Sequence, residues 1–150
     1  MERTLVLLKP DTVQRGLIGT IITRIENKGL TVSGIKMIQL TDEILREHYA
    51  HIADKPFFPG VAKFMKSNPV VALCITGEDA VTQVRNMVGA TNCKVAEQGT
   101  IRAQFGNSMG MNLIHASDPA EDPEAEVIRF FGEAEVFAYE KVLNQYIYQS

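Results

Sequence analysis

Cysteine is scarce in this chain: Cys74 and Cys93 are the only two in 150 residues. Their spacing fits neither a CxxC pair nor a zinc-ligand set, so a disulfide framework is not expected and a reducing compartment is. An excess of positive charge is missing as well. Fifteen Lys and Arg stand against eighteen Asp and Glu, for a net charge of −3. That balance offers no basic field for nonspecific nucleic-acid binding, and no aromatic-basic stretch of the RNA-reading kind occurs. Any bound anion must be held by local groups. Long hydrophobic runs are lacking too. The longest, VVALCI at 70–75, is far short of the ~20 residues a membrane helix needs. The apolar run in MERTLVLLKPD is too short for a signal h-region, and the expected location is the cytoplasm. Neither GxxxxGK[ST] nor GxGxxG is present, which excludes a P-loop and the dinucleotide fingerprint. No repeat, low-complexity tract or linker divides the chain, so one domain over residues 1–150 is expected.

What is present fits an ordinary globular domain, 45% apolar and 22% charged. RTLVLLKP predicts a first strand buried on both faces and stopped by Pro10. Leu17, Ile18, Ile21, Ile22 and Ile25 recur at helical spacing, with Gly29 placed to close the helix. Residues 30–40 suit a second strand with a bulge at Ser33-Gly34. DEILREHYAHI predicts a helix with acidic residues in its first turn. A short helix over 60–67 follows, with Val61, Phe64 and Met65 on one face. PVVALCI is a strand, and GEDAVTQVRNMVG a helix with Val81, Val84 and Val88 inward.

Residues 89–111 lack periodicity and contain four glycines, Gly89, Gly99, Gly106 and Gly110; they read as a long loop, which in a compact domain is usually functional or disordered. NLIHAS is a last short strand, with Leu113 and His115 on one face and Ile114 on the other. DPEAEVIRFF is a helix with Asp122 as N-cap and Pro123 at N1. Strands and helices interleave around about four strands, which predicts a ferredoxin-like α+β sandwich: one four-stranded antiparallel sheet covered by helices.

The stretch NLIHASD, residues 112–118, holds the question of function. His115 reads either as a core histidine bonded to backbone or as a nucleophile. Its ordinary pKa of about 6.5 leaves the imidazole mostly neutral near pH 7. A nucleophilic imidazole needs one nitrogen free and a partner on the other, ideally a carboxylate that also stabilises the charged adduct. Lys9, Arg85 and Arg102 are each ordinary surface cations alone; together they suit a polyphosphate, whose geometry guanidinium forks match. His48 and His51 lie three apart on one helix, a metal pair without an evident third ligand. Phe57 and Phe58 after Pro56 are core residues or a flat platform for a ligand ring. Ser117 and Asp118 end the strand in a turn or assist His115.

NLIHASD resembles the active-site signature of the nucleoside diphosphate kinases, N-x-x-H-[GA]-S-D. The resemblance spans nearly the whole chain: RTLVLLKPD, QRGLIGTIITRIENKGL, HYAHIADKPFFPGVAKFM, PVVALCITGEDAV, VRNMVGATN and GTIRAQFG match in order and spacing. It implies a ping-pong transfer of the γ-phosphoryl of a nucleoside triphosphate, usually ATP, to a nucleoside diphosphate. His115 is then the nucleophile, phosphorylated on Nδ1; Glu126 holds the other ring nitrogen and Ser117 supports it. Lys9 and Tyr49 sit at the transferred phosphoryl, and Arg85, Thr91 and Arg102 on the other phosphates. Phe57 and Val61 lie against the base, and Asn112 with Lys9 contacts the sugar hydroxyls. Mg²⁺ comes in with the nucleotide, and no protein metal ligand is implied. The family forms homo-oligomers; the tail LNQYIYQS is similar to those of its hexamers rather than its tetramers.

The chain departs from the family pattern at Thr12 (usually Gly), Cys93 and Gln98 (usually Pro), Gln104 (commonly acidic) and Met111 (commonly Arg). The missing prolines predict a less stable loop and an assembly that dissociates more readily. A rival reading is a nucleotide-sensing module. It would keep the cations but have no use for a histidine–carboxylate pair, since a fold alone proves no activity.

Overall fold

The computed structural model describes residues 1–149. Strand β1 (Glu2–Leu8) is a central strand of one sheet, because Leu5, Val6, Leu7 and Leu8 are apolar in succession and all fully buried. Strand β2 is Thr31–Ile38, β3 is Val70–Gly77 and β4 is Ile114–Ala116, in the order β2-β3-β1-β4 with every pairing antiparallel. This is the ferredoxin-like sheet expected from the strand and helix order. Ser33 is the extra residue of a bulge, since Val32 faces Ile75 and Gly34 faces Cys74.

Two cores lie on the two faces. Val6, Leu8, Leu73 and Ile75 pack against helices α2 (Ile18–Asn27) and α5 (Ala80–Val88) through Ile21, Ile25, Val84 and Val88. Leu5, Leu7, Ala72 and Cys74 pack against α3 (Asp42–His48), α4 (Phe58–Met65) and α7 (Pro123–Phe130) through Leu45, Met65, Val127 and Phe130. Each such fully buried Leu or Ile contributes roughly 1.5–3 kcal/mol of transfer free energy. Helix α2 ends as its apolar spacing predicts, with Gly29 at φ 97°, a conformation only glycine adopts freely.

The sequence reading is corrected at four places. Pro10 does follow the end of β1, but it also opens a short helix α1 (Pro10–Gln14) that the sequence reading lacked, where its fixed φ and missing N–H are harmless. Helix α3, capped by the Thr41 hydroxyl on the Ile44 N–H, stops at His48 rather than running on to Ile52. The loop at 89–111 contains a 3₁₀ turn (Cys93–Val95) and a helix α6 (Ile101–Phe105), capped by Thr100. Five residues are too few to register a 3.6-residue period. Finally, Leu113 does not share a face with His115. Its φ is 74°, so Leu113 and Ile114 both enter the first core while His115 points to the other side.

The C-terminal tail returns over the β2 end of the sheet, with the Tyr139 hydroxyl donating to the Val32 carbonyl at 2.6 Å and Lys141 to that of Leu30 at 3.1 Å. Ser150, the last residue of LNQYIYQS, lies outside the described residues. Among the described residues no helix is long and apolar enough to cross a membrane.

Candidate active site

Strand β4 pairs with β1, placing His115 opposite Leu7. Helix α7 starts at Pro123 with the Asp122 carboxylate accepting from the Ala125 N–H at 3.0 Å, as its sequence dictates. That start places Glu126 one turn in, facing the sheet. Its Oε1 lies 2.9 Å from His115 Nε2 and accepts from the Ser117 hydroxyl at 2.7 Å. Ser117 is fully buried and tied to β1 through the Leu5 N–H at 3.2 Å. Burial works to raise the Glu126 pKa. The bond and charge of His115 and the Ser117 hydroxyl outweigh it and hold the group well below the ordinary carboxylate range. An ionised Glu126 makes Nε2 the protonated nitrogen, so the lone pair that can attack sits on Nδ1.

His48, at the end of α3, is buried beside this pair. Its ring meets that of His115 edge-on, and Arg129 Nη1 lies 3.1 Å from its Nδ1. Burial first, then the neighbouring His115, pushes its pKa far down, so it stays neutral. The sequence reading paired His48 with His51. The structure instead groups His48 with His115 and Glu126, whose ligand-type atoms lie within 4.8 Å of one another. That group does not suit Mg²⁺, which prefers oxygen ligands. A cation there would also displace the His115–Glu126 bond and face the Arg129 guanidinium.

A cavity of about 320 Å³ opens over His115, within the size range of small-ligand sites. Lys9, Tyr49, Arg85, Thr91, Arg102, Asn112 and Glu126 line it, as does His51. Lys9 Nζ donates to Asn112 Oδ1 at 2.8 Å. Burial, reinforced by the charge of Arg102, lowers its pKa to about 8. Burial and the Glu126 charge push the Tyr49 phenol up to about 12, so it remains an O–H donor.

Arg102 is not a loop cation. It is buried on α6 and donates to the carbonyls of Asn112 (3.1 Å), Gly89 (3.0 Å) and Ile114 (2.6 Å). It therefore splints the backbone that carries His115 while keeping its charge at the cavity. The start of α6 packs so closely on Gly89 that an added Cβ there would meet Thr100 Oγ1 at 2.5 Å. Arg85 donates to the Ala116 carbonyl at 3.2 Å and lies 3.9 Å from Asp118. Phe57 and Val61 do not line the cavity. Phe57, at the start of α4, is 58% exposed, and Val61 packs against the second core.

Sequence reasoning did not find the turn ahead of His115. The Ile114 N–H donates to the Asn112 carbonyl at 2.8 Å across Leu113. With φ of 74° this is the rare, strained γ-turn, for which a non-glycine residue costs of order 1–3 kcal/mol. No local signal marks it, because Leu is not a left-handed former; the groups that hold it come from far away in the chain.

The family model described as nucleoside diphosphate kinase matches residues 2–136. A nucleoside diphosphate kinase of Parabacteroides distasonis is 53% identical over 140 residues, 93% of this chain and 92% of that one. One of Desulforamulus reducens is 48% identical over 149 residues, 99% of this chain and all of that one. Among solved structures, a halophilic nucleoside diphosphate kinase from Halobacterium salinarum, in complex with CDP, superposes with a TM-score of 0.96 at 45% identity, covering 99% of both chains.

Proposed function

This chain belongs to the nucleoside diphosphate kinase family, and we propose that it performs the family's phosphoryl transfer through His115. Nδ1 of His115 attacks the γ-phosphorus of a nucleoside triphosphate, usually ATP. The bond to the β–γ bridging oxygen breaks and the nucleoside diphosphate leaves. A second nucleoside diphosphate then attacks the phosphohistidine, and its terminal oxygen takes the phosphoryl from nitrogen. The observation that carries this reading is the His115 Nε2–Glu126 Oε1 contact of 2.9 Å beneath a cation-lined cavity. A module that only senses nucleotides has no use for it.

Phosphoryl transfer passes through a loose transition state, so catalysis is largely positioning and cations. Lys9 and the Tyr49 hydroxyl serve the transferred phosphoryl. Arg85 and Thr91 hold the remaining phosphates, and Arg102 adds a fixed charge. Ser117 and Glu126 hold the ring as positive charge develops on it. Mg²⁺ belongs to the substrate, bound mainly by phosphate oxygens, and neutralises charge on the nucleotide. Asn112 and Lys9 take the sugar hydroxyls. Phe57, with Val61 beside it, takes the base; a ring face is common to all bases, so purine and pyrimidine nucleotides are both used. We further read residues 1–150 as one domain, located in the cytoplasm and assembled as a homo-oligomer, a hexamer before a tetramer.

The test is a phosphoenzyme chase with Mg²⁺ and γ-labelled ATP. Acid-labile label on the protein, absent in His115→Ala and released as GTP on adding GDP, is the expected result. Nucleotide binding without covalent label would leave only a sensing module.

A further inference from the structure

Arg102 holds the two carbonyls that flank the turn ahead of His115; Leu113 itself, at its apex, is held from one short stretch, Lys9 to Thr12, where β1 passes into α1. The Leu113 N–H donates to Asp11 Oδ2 at 3.0 Å. The Leu113 carbonyl accepts twice, from the Lys9 N–H at 2.8 Å and from the Thr12 hydroxyl at 2.6 Å. Thr12 is fully buried. A threonine in a helix ordinarily returns its hydroxyl to the carbonyl one turn back. Here the hydroxyl goes instead to a residue 101 positions later. It serves not its own helix but the peptide plane that follows Leu113.

That plane is the hinge of the site. On one side Asn112 reaches Lys9 Nζ in the cavity; on the other, the chain turns through Ile114 to present His115 to Glu126. The γ-turn is strained, so without restraint its peptide relaxes toward ordinary extended geometry. Relaxation would rotate the Leu113 carbonyl and carry β4, with His115, out of line with the phosphoryl group. We propose that Thr12 is a positioning residue for transfer at His115, acting through the Leu113 carbonyl. The inference rests on the phosphohistidine mechanism proposed above.

The test compares wild type with Thr12→Val, which keeps the branched shape without the hydroxyl, and Thr12→Ser, which keeps the hydroxyl. Thr12→Ala serves as a second hydroxyl-free variant. Transfer from γ-labelled ATP to the protein is followed in a single turnover, well below each unfolding midpoint, and ADP affinity is measured by calorimetry. At saturating ATP the hydroxyl-free variants should label about tenfold more slowly, with ADP affinity within about twofold of wild type, because misalignment slows the chemical step rather than binding. Thr12→Ser should restore the rate. Equal labelling by wild type and the hydroxyl-free variants, or Thr12→Ser as slow as Thr12→Val, overturns the inference. So does a rate loss matched by lost ADP affinity. If wild type itself takes no label, the phosphohistidine reading falls and this inference with it; if wild type labels and the hydroxyl-free variants keep pace, only the inference falls.

Discussion

The imidazole of His48 stands edge-on to that of His115, ring centroids 4.7 Å apart and planes at 81°. A proton on His48 would place a second cation between His115 and Arg129, so the fold holds it neutral. The unfolded chain takes up that proton near pH 6.5 and the folded chain resists it. Stability from this group is therefore complete above about pH 6.5 and is lost as pH falls below it. Glu126 has the opposite charge type but the same consequence. Its folded pKa is depressed, so its contribution is present above about pH 4.3 and lost below. The urea midpoint of wild type should fall between pH 6.5 and 5, then further below pH 4.3. His48→Gln, whose amide oxygen still accepts from Arg129, should be flat in the upper window and follow wild type in the lower. Parallel curves for the two proteins would refute this account.

Lys9 predicts the basic limb of activity. With a pKa of about 8 in the free protein, it loses its charge as pH rises through that value, and kcat/KM should fall there. Bound phosphates favour the charged amine, so the limb in kcat should lie at higher pH. The effect on stability has the reverse sign. From about pH 8 to the unfolded value near 10.4 the unfolded chain holds more protons, so stability from this group rises as activity falls. Lys9→Arg keeps its charge throughout and should lose the basic limb of kcat/KM, at a lower rate overall, since a guanidinium does not replace an ammonium at one point.

Glu126→Gln removes the charge that faces His115 while keeping shape and hydrogen bonding. A charge-assisted hydrogen bond contributes roughly 1.5–3 kcal/mol, so single-turnover labelling should slow about 10- to 100-fold with KM little changed. Rapid-quench measurement of the phosphoenzyme decides it; an unaltered rate would remove Glu126 from the mechanism.

Phe57 is exposed and caps no core, so Phe57→Ala should leave the unfolding midpoint in place. Loss of a stacking platform should weaken binding by roughly 1–3 kcal/mol for every base alike. KM values for ADP, GDP, CDP and UDP test both points. A strict preference for one base in wild type would contradict the platform role.

The segment after α5 is tight where the sequence looked loose. An added Cβ on Gly106 would lie 2.2 Å from Cys93 Sγ and 3.0 Å from the Arg102 carbonyl. Its φ of −89° is open to any residue, so the barrier is space alone. Gly106→Ala should cost about 1–3 kcal/mol by overpacking, read from the denaturant midpoint. Cys93 begins the 3₁₀ turn. If proline's restricted φ fits there, Cys93→Pro should stabilise the fold by about 0.4–1 kcal/mol through the unfolded chain, and so raise the denaturant midpoint of unfolding. A midpoint unchanged or lowered would count against the missing proline as a source of a less stable loop.

Much of the architecture is local information. The consecutive apolar residues of β1 and β3, the isoleucine spacing of α2, and the Asp122-Pro123 start of α7 each dictate an element within a few residues, and alternation then dictates which face is buried. Side-chain chemistry alone left His115, Lys9, Arg85 and Arg102 open between structural and functional roles; the resemblance carried by NLIHASD and its companion segments made them site candidates. What no stretch of sequence contains is the pairing across distance. Glu126 meets His115 only because α7 lies on the sheet face to which β4 turns His115. Arg102 is a backbone splint only because α6 brings it under Gly89 and Asn112. The left-handed Leu113 is held by bonds from Asp11, Lys9 and Thr12, about a hundred residues earlier, and is flanked by carbonyls that Arg102 binds. Local propensity reports the cost of such a conformation and not the remote groups that hold it, so the sequence determined most of the elements and the candidate side chains, while the tertiary structure alone decided how the histidine is aimed.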